Sequence, residues 1–167
     1  MCLDESSSTR ADAPWGKAVA LALLDAAMSG GRKFALIHFA GTGKFKTDLF
    51  MPGGYGTEDV FAAAETLLNG NTDFETPLKE SFQLIEHEEF ENADIVFMTD
   101  GVCDLAESFR DQVKQKQAAS GFKITGILMD VESPGMEFSL KQFCETTYRA
   151  SELSRDSIVE AIIAKRV

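Results

Sequence analysis

The chain has 167 residues, 44% of them hydrophobic, which is enough for one domain with a full apolar core. Its 27 acidic and 16 basic side chains give a formal net charge of −11, which argues against binding nucleic acid or an anionic membrane, because both require a basic surface. Three cysteines without a CxxC pair, no signal peptide and no apolar run of membrane-spanning length predict a cytoplasmic protein with reduced thiols.

The first apolar residues, Cys2-Leu3, resemble the end of a strand. We therefore expect a single domain over residues 1–167 that is cut within its first strand from a longer protein. Further along the chain, near-continuous or alternating apolar runs are typical of strands, and proline and glycine mark the ends of helices. The predicted strands are 33–40, 44–50, 93–99, 123–129 and a short 146–150. The predicted helices are 14–29, 58–68, 76–88, 104–119, 138–145 and 154–165.

Strands alternate with helices in this order, which is typical of an α/β fold with a mostly parallel, doubly wound, Rossmann-like sheet and helices on both faces. Only the two strands on either side of residues 41–43 follow each other without a helix, so one edge strand is predicted to be antiparallel. In such folds, ligands bind at the carboxyl ends of the strands, near the point where the strand order reverses.

Oxygen-bearing side chains lie at those predicted carboxyl ends. Asp4, Ser6 and Ser8 follow the first strand at alternate positions, so their side chains can converge on one point while the residues between them face elsewhere. Thr72 precedes the third predicted helix, and Asp100 follows the strand 93–99. Carboxylates and hydroxyls suit a hard divalent ion, so the sequence indicates an oxygen-coordinated metal site at this edge of the sheet. Taken singly, each could instead cap a local turn.

The three pieces DESSS at 4–8, NTD around Thr72 and TDG around Asp100 resemble the von Willebrand factor A domain. Its metal-ion-dependent adhesion site is written Asp-x-Ser-x-Ser, then a distant Thr, then a distant Asp. The resemblance covers essentially the whole chain and implies that the five side chains hold Mg²⁺, or Mn²⁺ or Ca²⁺ in its place. Ser7 is more often glycine in the family and Thr9 is often methionine, but neither departure removes an oxygen ligand.

The runs GNTDFETPL and FENADIVFMTDG look like the bacterial intracellular group that includes ViaA and CoxE-like proteins, which work beside MoxR-type AAA+ ATPases. The resemblance implies a protein-binding module without catalytic activity. A partner protein would fill the open position on the metal with an Asp or Glu carboxylate, and a MoxR-type AAA+ ATPase is a candidate partner. The resemblance also implies that the short first strand is the central strand of the sheet.

The alternative is a Mg²⁺-dependent hydrolase or phosphatase of Rossmann-like fold. Phosphatases of the haloacid dehalogenase type also place an Asp at a strand end, but they need a second acid two residues later, where this chain has Ser6. A serine nucleophile needs a histidine base, and neither His38 nor His87 lies in a nucleophile-elbow context. We therefore predict no catalytic residue. A domain that has lost its site and acts only as a scaffold is a third reading, which the complete ligand set disfavours.

Overall fold

Strands and helices alternate along the chain in the computed structural model, which describes residues 1–87, 90, 92–129, 136–152 and 154–164. The strands are β1 (Cys2–Asp4), β2 (Phe34–Phe39), β3 (Phe45–Phe50), β4 (Ile95–Thr99), β5 (Ile124–Leu128) and β6 (Thr146–Arg149). The helices are α1 (Ala13–Ser29), α2 (Thr57–Ala64), α3 (Glu75–Glu86), α4 (Glu107–Ser120), α5 (Met136–Lys141) and α6 (Arg155–Ala164).

The six strands form one sheet in the order β3-β2-β1-β4-β5-β6. All neighbouring strands are parallel except β2 and β3, which are antiparallel and place β3 at the edge. The predicted mostly parallel α/β sheet with one antiparallel edge strand is therefore confirmed. The chain builds outward from β1 to β3 on one side and from β4 to β6 on the other, so the strand order reverses between β1 and β4.

Strand β1 occupies the centre of the sheet although it has only three residues. Cys2 and Leu3 are fully buried, and they pair with β2 on one side and β4 on the other. The amino group of Met1 donates to the carbonyl of Ala35 at 2.6 Å, which continues the contact with β2. The short apolar run Cys2-Leu3 thus fixes where Asp4, the last residue of β1, stands in the sheet.

Apolar layers cover both faces of the sheet. On one face, Phe74, Phe97 and Phe143 pack together, with ring centroids 5.0 to 5.8 Å apart. On the other face, Leu3 packs with buried residues of α1 and α6, among them Val19 and Ile158. The site-bearing ends of β1 and β4 are therefore held between two packed layers.

Helices α2 and α5 differ most from their predicted bounds: α2 covers Thr57–Ala64 instead of 58–68, and α5 covers Met136–Lys141 instead of 138–145. The N-cap of α2 is Gly56, whose N–H donates to the carboxylate of Asp59 at 2.7 Å. Two other predicted helix ends, at residues 88 and 165, lie outside the described part of the chain. No described helix is both long enough and apolar enough to cross a membrane.

Candidate metal-binding site

The carboxyl ends of β1 and β4 meet where the strand order reverses. Leu3 pairs with Met98 in the parallel register, so Asp4 and the residues after Thr99 emerge at the same edge of the sheet. Asp4 is 1% exposed and Asp100 is 6% exposed. Two carboxylates from residues far apart in the sequence are thus buried close together at this edge.

The Asp4 carboxylate is held by two hydrogen bonds. Its Oδ1 atom accepts the N–H of Ser6 at 2.9 Å, and its Oδ2 atom accepts the hydroxyl of Thr99 at 2.5 Å. The Thr99 hydroxyl in turn accepts the N–H of Gly101 at 2.8 Å. Thr99 was not predicted as part of the site, and the available signal was only a hydroxyl residue at the end of a buried strand, directly before Asp100.

A line of hydroxyl groups joins the first loop to Asp100. The Ser6 and Ser8 hydroxyl oxygens lie 3.1 Å apart, and the Ser8 hydroxyl donates to Asp100 Oδ1 at 3.0 Å. Ser6 and Ser8 therefore point toward Asp100, as their alternate spacing after Asp4 predicts. The hydroxyl of Thr9 turns away and donates to the Ser6 carbonyl at 2.9 Å, which closes the local turn.

Thr72 reaches the same place from the loop before α3. A methyl group at Gly101 would lie 2.8 Å from Thr72 Cγ2 and 3.1 Å from Thr72 Oγ1, so Thr72 packs directly on the Gly101 backbone. The cap of α3 is supplied by Asp73, whose carboxylate accepts the hydroxyl of Thr76 at 2.5 Å and the backbone N–H of Glu75 at 3.2 Å. The Thr72 hydroxyl makes no hydrogen bond with any other described residue. The structure thus brings all five predicted side chains to one edge.

Glu5 and Ser7, which alternate with the predicted ligands Asp4, Ser6 and Ser8, hold the loop that carries Thr72. The Glu5 carbonyl accepts the N–H of Asn69 at 2.8 Å, while Ser7 bonds Gly70 twice: its N–H donates to the Gly70 carbonyl at 3.0 Å, and its hydroxyl accepts the Gly70 N–H at 2.9 Å. Asn69 has a φ of +58°, a left-handed conformation that asparagine tolerates better than most residues. Ser7, where the family more often has glycine, thus positions the loop that leads to Thr72.

The Glu5 side chain turns into the protein and meets His38. His38 is fully buried, with Nδ1 3.1 Å from Glu5 Oε1 and Nε2 3.2 Å from Asp48 Oδ2. Lys17 lies 3.8 Å from Glu5, and Lys46 lies 2.8 Å from Asp48. The imidazole therefore lies between two carboxylates, one directly beside Asp4 and one on the edge strand β3, which is a structural position inside the protein.

Burial makes the two carboxylates of the site costly to ionise without a bound cation. Burial raises the pKa of Asp4 to about 6, and the charge of Asp100 adds to this, while hydrogen bonds from Thr99 and Ser6 act against it. Burial also raises the pKa of Asp100, and the charge of Asp12 contributes in the same direction. A divalent cation between the two carboxylates would compensate this charge, so the electrostatics fit a metal ion.

The donor set fits a hard cation that keeps part of its water shell. Two carboxylates and three hydroxyls are oxygen ligands only, as Mg²⁺ and Mn²⁺ prefer, and the exposed Ser8 leaves the site open to solvent. Among the described residues, no group of three or more His, Cys, Asp or Glu side chains is placed to hold a metal. A metal at this edge would therefore depend on the hydroxyls as well as on the carboxylates.

A family model described as the von Willebrand factor type A domain matches residues 1–102. Two proteins of Methanocaldococcus jannaschii, named uncharacterized proteins MJ0077 and MJ0811, are 26% identical over 165 residues and 29% identical over 130 residues. The alignments cover 98% and 77% of this chain but 41% and 29% of those proteins, so the chain spans less than half the length of the curated relatives it matches.

Solved structures share the fold at low sequence identity. The SpRpn10 VWA domain has a TM-score of 0.69 and 13% identity, with 96% of this chain and 92% of that chain covered. The conserved hypothetical protein BatB from Bacteroides thetaiotaomicron has a TM-score of 0.69 and 16% identity, with 98% and 97% covered. Proximal thread matrix protein 1 of the mussel byssus has a TM-score of 0.63 and 16% identity, with 99% and 44% covered. At these identities the likeness concerns the fold alone.

Proposed function

This chain belongs to the von Willebrand factor type A domain family, and from that premise we propose that it is a metal-dependent protein-binding module. Domains of this family are commonly protein-interaction modules. The observation that carries the proposal is the connection between two buried carboxylates at an edge that is open to solvent. Asp4 accepts the backbone N–H of Ser6, and the Ser6 and Ser8 hydroxyls continue the connection to Asp100.

Each of the five side chains has a distinct part in this proposal. Asp4 and Asp100 supply the negative charge, and the hydroxyls of Ser6, Ser8 and Thr72 supply neutral oxygen ligands. A bound Mg²⁺, or Mn²⁺ or Ca²⁺, contributes a positive charge with an open coordination position that an Asp or Glu carboxylate of the partner can fill. The hydrogen bonds from Thr99 and from the Ser6 backbone orient the Asp4 carboxylate before any ligand arrives.

A hydrolase of Rossmann-like fold is less well supported. The position two residues after Asp4 is Ser6, whose hydroxyl contacts Ser8, so no second acid is available there for phosphoryl transfer. His38 is fully buried between Glu5 and an edge-strand carboxylate and makes no hydrogen bond to a serine of the first loop, so it cannot act as a base for Ser6 or Ser8. We therefore propose a module without catalytic activity.

We further propose a cytoplasmic adaptor role with a MoxR-type AAA+ ATPase as partner, which rests on the resemblance of the runs around Thr72 and Asp100. Such an ATPase itself requires Mg²⁺, so chelating the metal would not identify the source of an effect. The informative comparison is binding of a purified MoxR-type ATPase to the wild type, to Asp4→Ala and to Asp111→Ala at constant Mg²⁺. Loss of binding in Asp4→Ala alone is expected, whereas equal binding by all three proteins would contradict this partner.

Metal binding itself is tested by thermal unfolding with and without millimolar Mg²⁺ or Mn²⁺. A ligand that binds only the native state at ten times its Kd stabilises it by about 1.4 kcal/mol, which raises the Tm of a domain of this size by roughly 3–6 °C. The wild type and Asp111→Ala, which removes an exposed carboxylate of α4, should both show this shift. Asp4→Ala should not.

Two results would overturn the metal site. One is an equal shift in Asp4→Ala and wild type, which would place the bound ion elsewhere. The other is the absence of heat in a calorimetric titration of the wild type with Mn²⁺ and with Mg²⁺, together with no change in Tm.

A further inference from the structure

Two basic side chains, Arg10 and Lys44, donate hydrogen bonds to Asn69, in the loop that leads to Thr72 of the candidate site. Arg10, two residues after Ser8, donates from Nη2 to Asn69 Oδ1 at 2.6 Å. Lys44, at the start of the edge hairpin, donates from Nζ to the Asn69 carbonyl at 3.0 Å. Both side chains are exposed, and both converge on the turn whose neighbour, Gly70, bonds to Ser7.

Within the described part of the chain, these two charges have no acidic partner. Neither Arg10 nor Lys44 has a carboxylate within ion-pair distance among the described residues, including the exposed Glu65 of the same loop. The nearby Lys17 and Lys46, in contrast, lie against buried or half-buried carboxylates. In a chain with a formal net charge of −11, two uncompensated cations beside one site form a local attraction for an anion.

An exposed apolar side chain flanks the same turn, because Leu67, two residues before Asn69, is 54% exposed. Phe45, next to Lys44, is also exposed, but it shares the face of β3 with Thr47, which contacts α3, and so it lies on the other face from Lys46 and Thr66. We call Arg10, Lys44, Leu67 and Asn69 the basic shoulder. A surface that combines charge with an exposed apolar group is typical of a protein-binding site.

The sheet register gives the distance from the shoulder to the candidate metal site. Asp4 pairs with Phe39 of β2, and Phe39 pairs with Phe45 of β3, so the three residues lie in one row across the sheet. Neighbouring strands are about 4.8 Å apart, which places the backbone of Phe45, the residue directly after Lys44, roughly 10 Å from Asp4. An extended peptide advances about 3.3 Å per residue and covers that span in roughly three residues.

We propose that the basic shoulder is a second anchor for an acidic peptide segment of the partner protein. One Asp or Glu of this segment binds the metal, and a second, about three residues away in an extended conformation, binds Arg10 and Lys44. The inference rests on the proposed function, because the first contact is the metal-bound carboxylate. It adds that the partner carries two spaced acidic residues, and that Leu67 packs against the apolar residues between them.

Fluorescence anisotropy with two labelled synthetic peptides tests the second anchor. Both are extended and uncharged except at the acids: one carries two Asp residues separated by two Leu or Ala residues, and the other has Asn in place of the second Asp. They are titrated in millimolar Mg²⁺ against the wild type, against a double variant with Arg10→Gln and Lys44→Gln, and against a charge-matched control with Lys114→Gln and Lys123→Gln. The two control lysines are exposed on α4 and at the amino end of β5, away from the site.

Exposed ion pairs contribute modestly, so we expect the shoulder variant to bind the two-acid peptide roughly threefold to tenfold more weakly than the wild type does. Its affinity for the one-acid peptide should be unchanged, and the charge-matched control should bind both peptides like the wild type. Glutamine can still donate to Asn69, and an unchanged Mg²⁺-dependent rise in Tm would show that the variant retains its metal site.

Equal affinity of the wild type for the two peptides would overturn the second anchor, as would an equal loss in the shoulder variant and the control. If Mg²⁺ raises the wild-type Tm but the wild type binds neither peptide, the second anchor is wrong while the metal site stands. If Mg²⁺ has no effect on the Tm and chelation has no effect on peptide binding, the proposed metal-dependent function itself is wrong. The two failures are therefore distinguishable.

Discussion

Replacing Asp4 with asparagine removes a buried charge and nearly preserves the shape of the side chain. Burial raises the pKa of Asp4 in the folded state to about 6, from an ordinary value of 3.8. At 1.36 kcal/mol per pKa unit, the ionised carboxylate costs the metal-free native state about 3 kcal/mol. Asparagine avoids this cost, and its side-chain oxygen can still accept the Ser6 N–H. Its side-chain NH2 group can donate to the Thr99 hydroxyl oxygen once that hydroxyl rotates. We therefore expect metal-free Asp4→Asn to be more stable than the wild type by about 1–3 kcal/mol near neutral pH.

The pH dependence follows from the sign of the shift. A raised pKa in the folded state means that the folded protein keeps the proton longer than the unfolded chain does, so the contribution of Asp4 to stability is complete below the unfolded pKa. It is lost as the pH rises through about 6. The stability difference in favour of Asp4→Asn should therefore grow by about 1.4 kcal/mol between about pH 5 and about pH 7.5.

Urea unfolding of metal-free wild type and Asp4→Asn across this pH range measures the difference directly. Groups that titrate in the same way in both proteins contribute equally to the two unfolding free energies and cancel in the difference. Asp100 is such a group if its titration does not depend on residue 4. Added Mg²⁺ should reverse the order, because the wild type gains stability from the ion and the variant loses one of the two charges that hold it. The reasoning is refuted if Asp4→Asn is less stable than the wild type without metal near neutral pH, or if the difference does not change with pH.

Three further substitutions test the surroundings of the site. Ser7→Gly removes the hydroxyl that holds the loop leading to Thr72, and it should lower the free energy of unfolding by about 0.5–1.5 kcal/mol in urea. His38→Gln leaves the buried Glu5 carboxylate poorly compensated and should cost about 3–5 kcal/mol by the same measurement. Gly101→Ala introduces a methyl group 2.8 Å from a Thr72 carbon, so calorimetry should find at least several-fold weaker Mg²⁺ binding.

Matched variants separate these effects from general damage. Ser7→Ala loses the same hydroxyl acceptor without the added chain entropy of glycine, so it should reproduce most of the Ser7→Gly effect. His87→Gln changes a histidine outside the buried network and should alter stability by less than about 0.5 kcal/mol. Gly54→Ala adds a methyl group in the loop before α2 and should leave Mg²⁺ binding unchanged. A loss of stability in His87→Gln equal to that in His38→Gln would contradict the role given to the buried network.

Periodicity was sufficient to predict the elements that position the site. The continuous apolar runs around β2 and β4 and the short hairpin at 41–43 imply a parallel sheet with an antiparallel edge, because only the hairpin joins two strands without a helix. The alternate positions of Asp4, Ser6 and Ser8 predict side chains on one side of the loop. These are local properties of the sequence, and the structure reproduces them.

Long-range pairing could not be predicted from single residues. The Thr99 hydroxyl bonds Asp4 across 95 positions, and nothing in the local sequence of Thr99 identifies that partner. The partners of His38 depend on the register of β2 and β3, which places Lys46 opposite His38 and Asp48 within diagonal reach. Helix α2 stops at Ala64 although residues 65–68 could continue it, because the following loop is tied to the DESSS loop and to basic side chains instead.

The stretch DESSST therefore carries two sets of contacts at once. Asp4, Ser6 and Ser8 face the candidate ion site, while the Glu5 backbone and Ser7 hold the turn at Asn69 and Gly70. That turn leads to Thr72, the fifth proposed ligand, and it also accepts the two uncompensated cations of the basic shoulder. Because one turn joins the ligand loop to the shoulder, a partner that binds both would order the same backbone from two sides. Binding at the metal and binding at the shoulder should therefore strengthen each other. Shortening the spacing between the two acids of a peptide should remove this gain in affinity before it removes binding to the metal.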